Sequence, residues 1–301
     1  MTEEPVYHVD GDLVAADEAT VNVRDRGFLY GDAAFETMRA YGGEVFEWEA
    51  HMDRLAETCQ VLGLDHGLSD GDLRERVDET LAANTLQEAY IRLSITRGVQ
   101  PGKLTPDEAV DPTVVVIVSE LPRGGQGSQP VWDGPATLQT VKTKRIPDAS
   151  IPARAKTHNY LNGILARLEL RVTGADEALL VDAEGHVTEG ATSNLFFVRD
   201  NALRTPSLDG PVLPGITRRV ILELAREEGI PVEEGQYSPE EIRSADEVFL
   251  TNSTWELRPV ETVDGLSVSE EEDGSTGTAA GPVTTLLSRL FDARVESAYY
   301  D

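Results

Sequence analysis

Apolar and polar positions along the chain recur with two periods, and the points where one gives way to the other mark its elements. Tyr7–Val9 and Leu13–Val14 read as short strands joined by Asp10-Gly11, a pair suited to the positive backbone angles of a tight hairpin. Glu49–Leu62 carries apolar residues at helical spacing (Met52, Leu55, Ala56, Cys59, Leu62) and stops at Gly63, and Asp72–Ala83 reads as a second helix. Ala89–Thr96 and Thr113–Ser119, rich in Ile, Val and Tyr, read as strands. The stretch 97–112 between them holds Gly, Pro and Asp and reads as a loop, long enough to point to a functional role.

Pro122–Pro135 is the clearest shift in composition and the natural domain boundary. Beyond it Thr137–Arg145 alternates like a strand, and Tyr160–Val172 is a helix with Leu161, Ile164, Leu165 and Leu168 on one face. Strands follow at Glu177–Val181, Asn194–Val198, Ala202–Arg204 and Glu247–Thr251, with helices at Ile216–Glu228 and Val283–Phe291. Ser269–Gly281 is poor in apolar residues and reads as a mobile surface loop. The order predicts two α+β domains, 1–121 and 136–301, joined by 122–135, with no internal repeat.

Composition narrows the setting. The net charge is −28, with carboxylates spread along the whole chain and only four lysines (Lys103, Lys142, Lys144, Lys156) among 26 basic residues. That pattern suits a protein kept soluble in concentrated salt, where screening relieves self-repulsion, and it excludes a polyanion such as nucleic acid as a partner. The single cysteine, Cys59, falls on an apolar helix stripe, so no internal disulfide or thiolate metal site is expected. His8, His51, His66, His158 and His186 lack metal-ligand spacing and read as structural or surface residues. The first residues have neither a basic nor an apolar targeting segment, and no window is long enough to span a bilayer, which predicts a soluble, cytoplasmic protein with no membrane partner.

The candidate chemistry begins at Lys156, in Ala155-Lys156-Thr157-His158-Asn159-Tyr160-Leu161. Arginine stays protonated, whereas a buried lysine can lose its proton and form a Schiff base. By composition alone Lys156 reads more readily as a surface lysine. Thr188-Glu189-Gly190 follows, and Leu213-Pro214-Gly215-Ile216-Thr217-Arg218 stands where a strand gives way to a helix. Free N–H groups and the helix dipole favour an anion at such a place, although Gly-x-Thr there is equally a plain helix start. Arg54 lies opposite its helix's apolar stripe and by that pattern is solvated; Tyr160 by itself is an ordinary aromatic at a helix start.

Together these runs resemble the fold-type IV, pyridoxal-phosphate-dependent family of branched-chain aminotransferases, D-amino acid aminotransferases and aminodeoxychorismate lyases, across about residues 7 to 265. The resemblance implies that Lys156 holds pyridoxal 5′-phosphate and moves the substrate's Cα proton, and that Glu189 keeps the cofactor's ring nitrogen protonated. It gives the phosphate to Arg54, Gly215, Ile216, Thr217 and Ser253, and the phenolic oxygen to Tyr160. Phe35 and Arg39, in Phe35-Glu36-Thr37-Met38-Arg39, and Tyr90 and Arg92, in Tyr90-Ile91-Arg92, resemble branched-chain substrate segments, with Thr37 replacing a glycine; Thr254 joins them. Thr96-Arg97-Gly98 instead resembles the segment where D-amino acid aminotransferases bind a carboxylate, which would make Arg97, or the 97–112 loop, act across a subunit interface.

The expected protein is then a homodimeric α+β enzyme with a small N-terminal α/β domain, a larger C-terminal domain with a β-barrel-like core, and the cofactor in the cleft between them. Its expected activity moves the amino group of branched-chain L-amino acids to 2-oxoglutarate. The alternatives are aminodeoxychorismate lyase, forming 4-aminobenzoate and pyruvate, and D-amino acid aminotransferase; the Lys156 to Asn159 spacing leans toward these two.

Overall fold

The computed structural model describes residues 4–122, 132, 134–268 and 280–300. Among them, those up to residue 122 form one compact unit with Ala155–Asn159 and Tyr300, and the rest form a second. Most of the expected linker 122–135 and of the expected surface loop 269–281 lies outside the described residues. The expected assignment of everything from 136 onward to one domain needs a correction, because the five residues around Lys156 belong to the first unit.

In the first unit β1 (Val6–Val9) and β2 (Asp12–Ala15) form the predicted hairpin, with φ of 51° at Asp10 and 107° at Gly11. There follow α1 (Arg26–Tyr30), β3 (Ala33–Tyr41), β4 (Glu44–Val45), α2 (Trp48–Leu62), α3 (Asp70–Ala83), β5 (Ala89–Thr96) and β6 (Val114–Glu120). The strands make one antiparallel sheet in the order β2-β1-β6-β5-β3-β4. Alternation along β3 and β5 sends Ala34, Met38, Ala40, Ile91, Leu93 and Ile95 into a core shared with Leu55 of α2 and Leu73 and Val77 of α3. Phe35, Thr37, Arg39, Tyr90 and Arg92 occupy the opposite face by the same period.

Helix α2 ends where Gly63, at φ 57°, donates its N–H to the carbonyls of Cys59 and Gln60. Its buried side is two rows wide. One row is apolar (Trp48, Met52, Leu55, Cys59), while the other is His51, Arg54 and Thr58. Ala56, counted in the predicted stripe, is exposed. Burial pushes the Cys59 thiol up to about 11, as suits a core residue.

The second unit comprises β7 (Ala136–Thr140), α4 (Leu161–Thr173), β8 (Glu177–Val181), β9 (Val187–Gly190), β10 (Asn194–Arg199), β11 (Ala202–Pro206), α5 (Ile216–Glu227), β12 (Val232–Gly235), α6 (Pro239–Arg243), β13 (Glu247–Asn252), β14 (Glu256–Val263), β15 (Leu266–Ser267) and α7 (Pro282–Tyr299). The long sheet runs β12-β11-β10-β13-β14-β7-β8-β9 and curls until β9 comes back against β10 and β11, the barrel-like core that was expected. Leu138, Leu179, Val187, Leu195, Phe197, Val248, Leu250 and Val260 fill it.

Two expectations change here. The strand predicted over Thr137–Arg145 ends at Thr140, and α7 continues well past Phe291. Helix α4 forms where its period predicts, but the row Leu161, Ile164, Leu165 and Leu168 is 59, 54, 46 and 41% exposed, while Ala166 and Leu170 are buried against Ala178 and Leu180 of β8. Among the described residues, no helix is long and apolar enough to cross a membrane.

Candidate active site

In the first unit the chain around Lys156 lines the edge of β3 that β5 leaves free. Phe35 N–H donates to the Lys156 carbonyl (3.0 Å), His158 N–H donates to the Ala33 carbonyl (3.0 Å), and Ala34 bridges Thr157. The Lys156 N–H donates to Thr58 Oγ1 on α2 (3.0 Å), and the Thr58 hydroxyl donates to the Arg54 carbonyl (2.9 Å). Backbone bonds to a strand and a helix therefore fix the lysine, whose half-buried side chain places Nζ 4.5 Å from the Phe35 ring centre.

Arg92 and His158 gather around the same aromatic ring. The Arg92 guanidinium lies 3.8 Å from the Phe35 centroid, and the His158 ring meets it edge-on at 5.5 Å. Burial, and then the charge of Arg92, push His158 down to about 4, so the ring is neutral where its Nε2 lies 3.2 Å from Ser94 Oγ. Register puts Arg39 opposite Tyr90 and Thr37 opposite Arg92, so Phe35, Arg39, Tyr90 and Arg92 share one face of the sheet. Arg39 is buried there, donating to the Pro122 carbonyl (2.7 Å) and lying 5.0 Å from the Tyr41 ring centre.

Arg54 overturns the solvated position that its helical wheel predicts. It is 6% exposed, and its Nε and Nη2 donate to Glu36 Oε1 (2.9 Å) and Oε2 (2.6 Å). Glu36 is completely buried, and His51 Nδ1 lies 2.7 Å from the same Oε2. Burial would raise the Glu36 carboxyl, but the charge and hydrogen bonds of Arg54, and then His51, outweigh it and hold the group at about 2. The amphipathic pattern misleads because polar residues occupy part of the buried side of α2.

Arg97 is held within the first unit. It is buried, and it donates to both oxygens of Asp32 (2.9 and 3.0 Å) and to the carbonyls of Gly63 (2.8 Å) and Leu62 (2.7 Å). The last two bonds tie off the C-terminus of α2, where carbonyls lack helical partners, and the four together engage all three guanidinium nitrogens. Arg26 Nε shares Asp32 Oδ2 (2.8 Å) with Arg97, and its other nitrogens donate to the carbonyls of Lys103 and Leu104, bracing the 97–112 loop. Burial opposes ionisation of Asp32, yet Arg97 and Arg26 hold its carboxyl below the usual range.

In the second unit Glu189 closes β9. Its carboxylate lies 2.8 Å from Arg145 Nε and accepts from Leu213 N–H (2.9 Å) and the Asn194 amide (3.4 Å). Arg145 also reaches the Pro211 carbonyl (3.2 Å), and Asn194 donates to that of Leu213 (3.0 Å), so both tie Glu189 to the turn leading into α5. A Cβ on Gly215 would meet Asn194 Oδ1 at 1.9 Å, which is why that turn takes a glycine. Gly215 starts α5 with no side chain capping the first turn, where Ile216 and Thr217 are buried. Free N–H groups at such a helix start favour an anion.

At the same end of this sheet β13 turns into β14 through half-buried Ser253 and Thr254. Asn252 Oδ1 accepts from Thr254 N–H (3.0 Å) and its hydroxyl (2.9 Å), and the Asn252 amide donates to the Thr192 carbonyl beside Glu189's turn (3.3 Å). Glu189, Gly215, Ile216, Thr217, Ser253 and Thr254 thus gather at one end of the sheet. Tyr160 stands half-buried at the residue before α4.

Sequence reasoning missed Glu36, His51, Thr58, Arg145 and Asn194. Glu36 and His51 stand inside runs already singled out, so a buried partner for Arg54 could have been sought there; nothing in the pattern marks Arg145. Among the described residues no cluster of side chains could hold a metal ion.

Comparison with known proteins identifies the family of the chain. A family profile described as amino-transferase class IV matches residues 33–263. The chain is 38% identical to a Methanocaldococcus jannaschii protein provisionally named a branched-chain-amino-acid aminotransferase, over 89% of this chain and 91% of that one. It is 34% identical to D-alanine aminotransferase of Listeria monocytogenes, over 96% of each. Its fold matches the crystal structure of the T.th. branched-chain amino acid aminotransferase with pyridoxamine 5′-phosphate at a TM-score of 0.88 and 29% identity, covering 99% of this chain and 96% of that one.

Proposed function

The chain belongs to the class IV aminotransferases, and from that membership we propose that it moves the amino group of branched-chain L-amino acids to 2-oxoglutarate. As a member of this class it works with pyridoxal 5′-phosphate. The residues suit that group, since they include a half-buried amine, a buried guanidinium, a helix start without a side-chain cap and a carboxylate gripped by arginine. When bound, the cofactor supplies an aldehyde that joins amines and a ring that draws electrons from the substrate's Cα–H bond.

The chain's own residues then divide the work. Lys156 would hold the aldehyde through Nζ and would carry the substrate's Cα proton. Glu189 holds the proton at the ring nitrogen, and Arg145 and Asn194 keep its carboxylate in place. Arg54, Gly215, Ile216, Thr217 and Ser253 bind the phosphate, and Tyr160 orients the phenolic oxygen. Phe35, Arg39, Tyr90, Arg92 and Thr254 form the substrate wall.

The observation that favours this substrate over a D-amino acid is Arg97. The arginine that would bind a D-substrate's carboxylate is spent on Asp32 and the end of α2. We also take the enzyme to be a cytoplasmic homodimer of a salt-rich cell, supported by the exposed apolar row of α4, the single buried cysteine and the net charge of −28.

A half-reaction screen in molar salt tests the substrate: purified enzyme is mixed with one amine at a time and the visible absorbance of the bound cofactor is followed. Conversion by L-leucine or L-valine but not D-alanine is expected. Conversion by D-alanine alone would make the protein a D-amino acid aminotransferase, and release of pyruvate from aminodeoxychorismate with inertness to both would make it a lyase.

A further inference from the structure

We infer that Glu36 and His51 are positioning residues, a buried carboxylate braced by an imidazole that sets the plane and direction of the Arg54 guanidinium for the cofactor's phosphate. The inference rests on the phosphate role proposed for Arg54. Glu36 stands on the core face of β3, between Ala34 and Met38, where every other side chain of that strand face is apolar. Stability gives little reason for an ion pair there, because taking both charges out of water costs about as much as their attraction returns. Its geometry supplies the reason. Two N–H groups of Arg54 meet the two oxygens of Glu36 in parallel, which fixes the guanidinium plane as a single contact could not.

His51 completes the brace from three residues earlier on the same helix. Glu36 carries no proton, so Nδ1 must donate, and burial keeps the ring neutral with Nε2 unprotonated. Both residues belong to the frame that holds the lysine. Phe35, next to Glu36, donates its N–H to the Lys156 carbonyl, and Thr58, one turn beyond Arg54, accepts from the Lys156 N–H and donates its hydroxyl to the Arg54 carbonyl. One strand–helix frame therefore sets where the amine and the guanidinium stand relative to each other. A cofactor gripped at its aldehyde and at its phosphate needs that spacing constant.

The test compares pyridoxal 5′-phosphate with pyridoxal, which lacks the phosphate, binding to cofactor-free protein by equilibrium dialysis in molar salt. Glu36→Gln and His51→Ala should each weaken pyridoxal 5′-phosphate by about tenfold or more while pyridoxal stays within about twofold, and His51→Asn, which keeps a donor, should restore the difference. Equal weakening of both ligands would mean that the pair only holds the fold, and undiminished phosphate preference would mean that Arg54 needs no brace; either result overturns the inference. Should Glu36→Gln not fold, the two His51 variants decide. Arg54→Gln separates the inference from its premise: if it leaves the preference for the phosphate ester unchanged, the phosphate role of Arg54 itself is wrong.

Discussion

Lys156 owes its position to its backbone, which is tied to β3 on one side and to α2 on the other, so its side chain can change without moving the chain. Lys156→Arg should consequently fold with an unchanged melting temperature, yet lose the cofactor's visible absorbance and at least about a thousandfold of its transamination rate, since arginine cannot give up its proton. Retained activity would refute the assignment. His158 makes a prediction in pH. Its folded value of about 4 lies below the ordinary 6.5, so between these values the unfolded chain binds more protons. The stability contributed by the neutral ring is complete above about pH 6.5 and is lost as pH falls towards 4. Glu36 acts in the same direction further down, with its contribution complete above 4.5 and lost as pH falls through about 2. Denaturation midpoints of His158→Gln should therefore depend less on pH between 6.5 and 4 than those of the parent; an identical slope would contradict the burial of the ring.

At the scale of elements, α4 and α7 show how a helix is tied to its sheet. The Glu247 carboxylate on β13 accepts from Val283 N–H (3.0 Å), Thr284 N–H (2.7 Å) and the Thr284 hydroxyl (2.6 Å), a negative charge at the positive end of α7. Glu247→Ala should cost about 2 to 3 kcal/mol in denaturant unfolding, because it orphans buried donors at a helix start. Helix α4 turns its large apolar residues outward, with only Ala166 and Leu170 buried. A solvent-facing row of that size favours self-association. Leu165→Asp with Leu168→Asp should shift the protein toward monomer in light scattering while leaving its far-ultraviolet circular dichroism unchanged. Persistence of the parent mass would show that another surface joins the subunits.

For the whole molecule, charge dominates. Twenty-eight net negative charges repel one another and also repel a phosphate-bearing cofactor. Screening shortens the reach of that repulsion from about 10 Å at 0.1 M salt to about 3 Å at 1 M. Raising KCl through that range should raise the melting temperature and also tighten pyridoxal 5′-phosphate binding, the reverse of the usual weakening of ionic contacts by salt. A dissociation constant that rises with KCl would mean that the local arginines outweigh the overall field.

Sequence by itself determined most of the elements and the family, and it put forward the amine. Period, turn chemistry and short motifs are local properties, and Gly63, Asp10-Gly11 and the run around Lys156 declare themselves within a few residues. Tertiary structure alone decided which side of each helix is buried and what each charged group faces. Arg54 sits on the polar side of its helix by count and inside the unit in fact, because Glu36, eighteen residues away on β3, offers a buried carboxylate. Arg97, in a motif suggestive of substrate binding, is instead claimed by Asp32 and the end of α2, sixty-five and thirty-four residues distant. The apolar row of α4 has the period of a core helix and faces outward, since period reports that one side is apolar and cannot say what will cover it. Partners distant in sequence set these outcomes through desolvation and hydrogen bonding, and neither is encoded in local spacing.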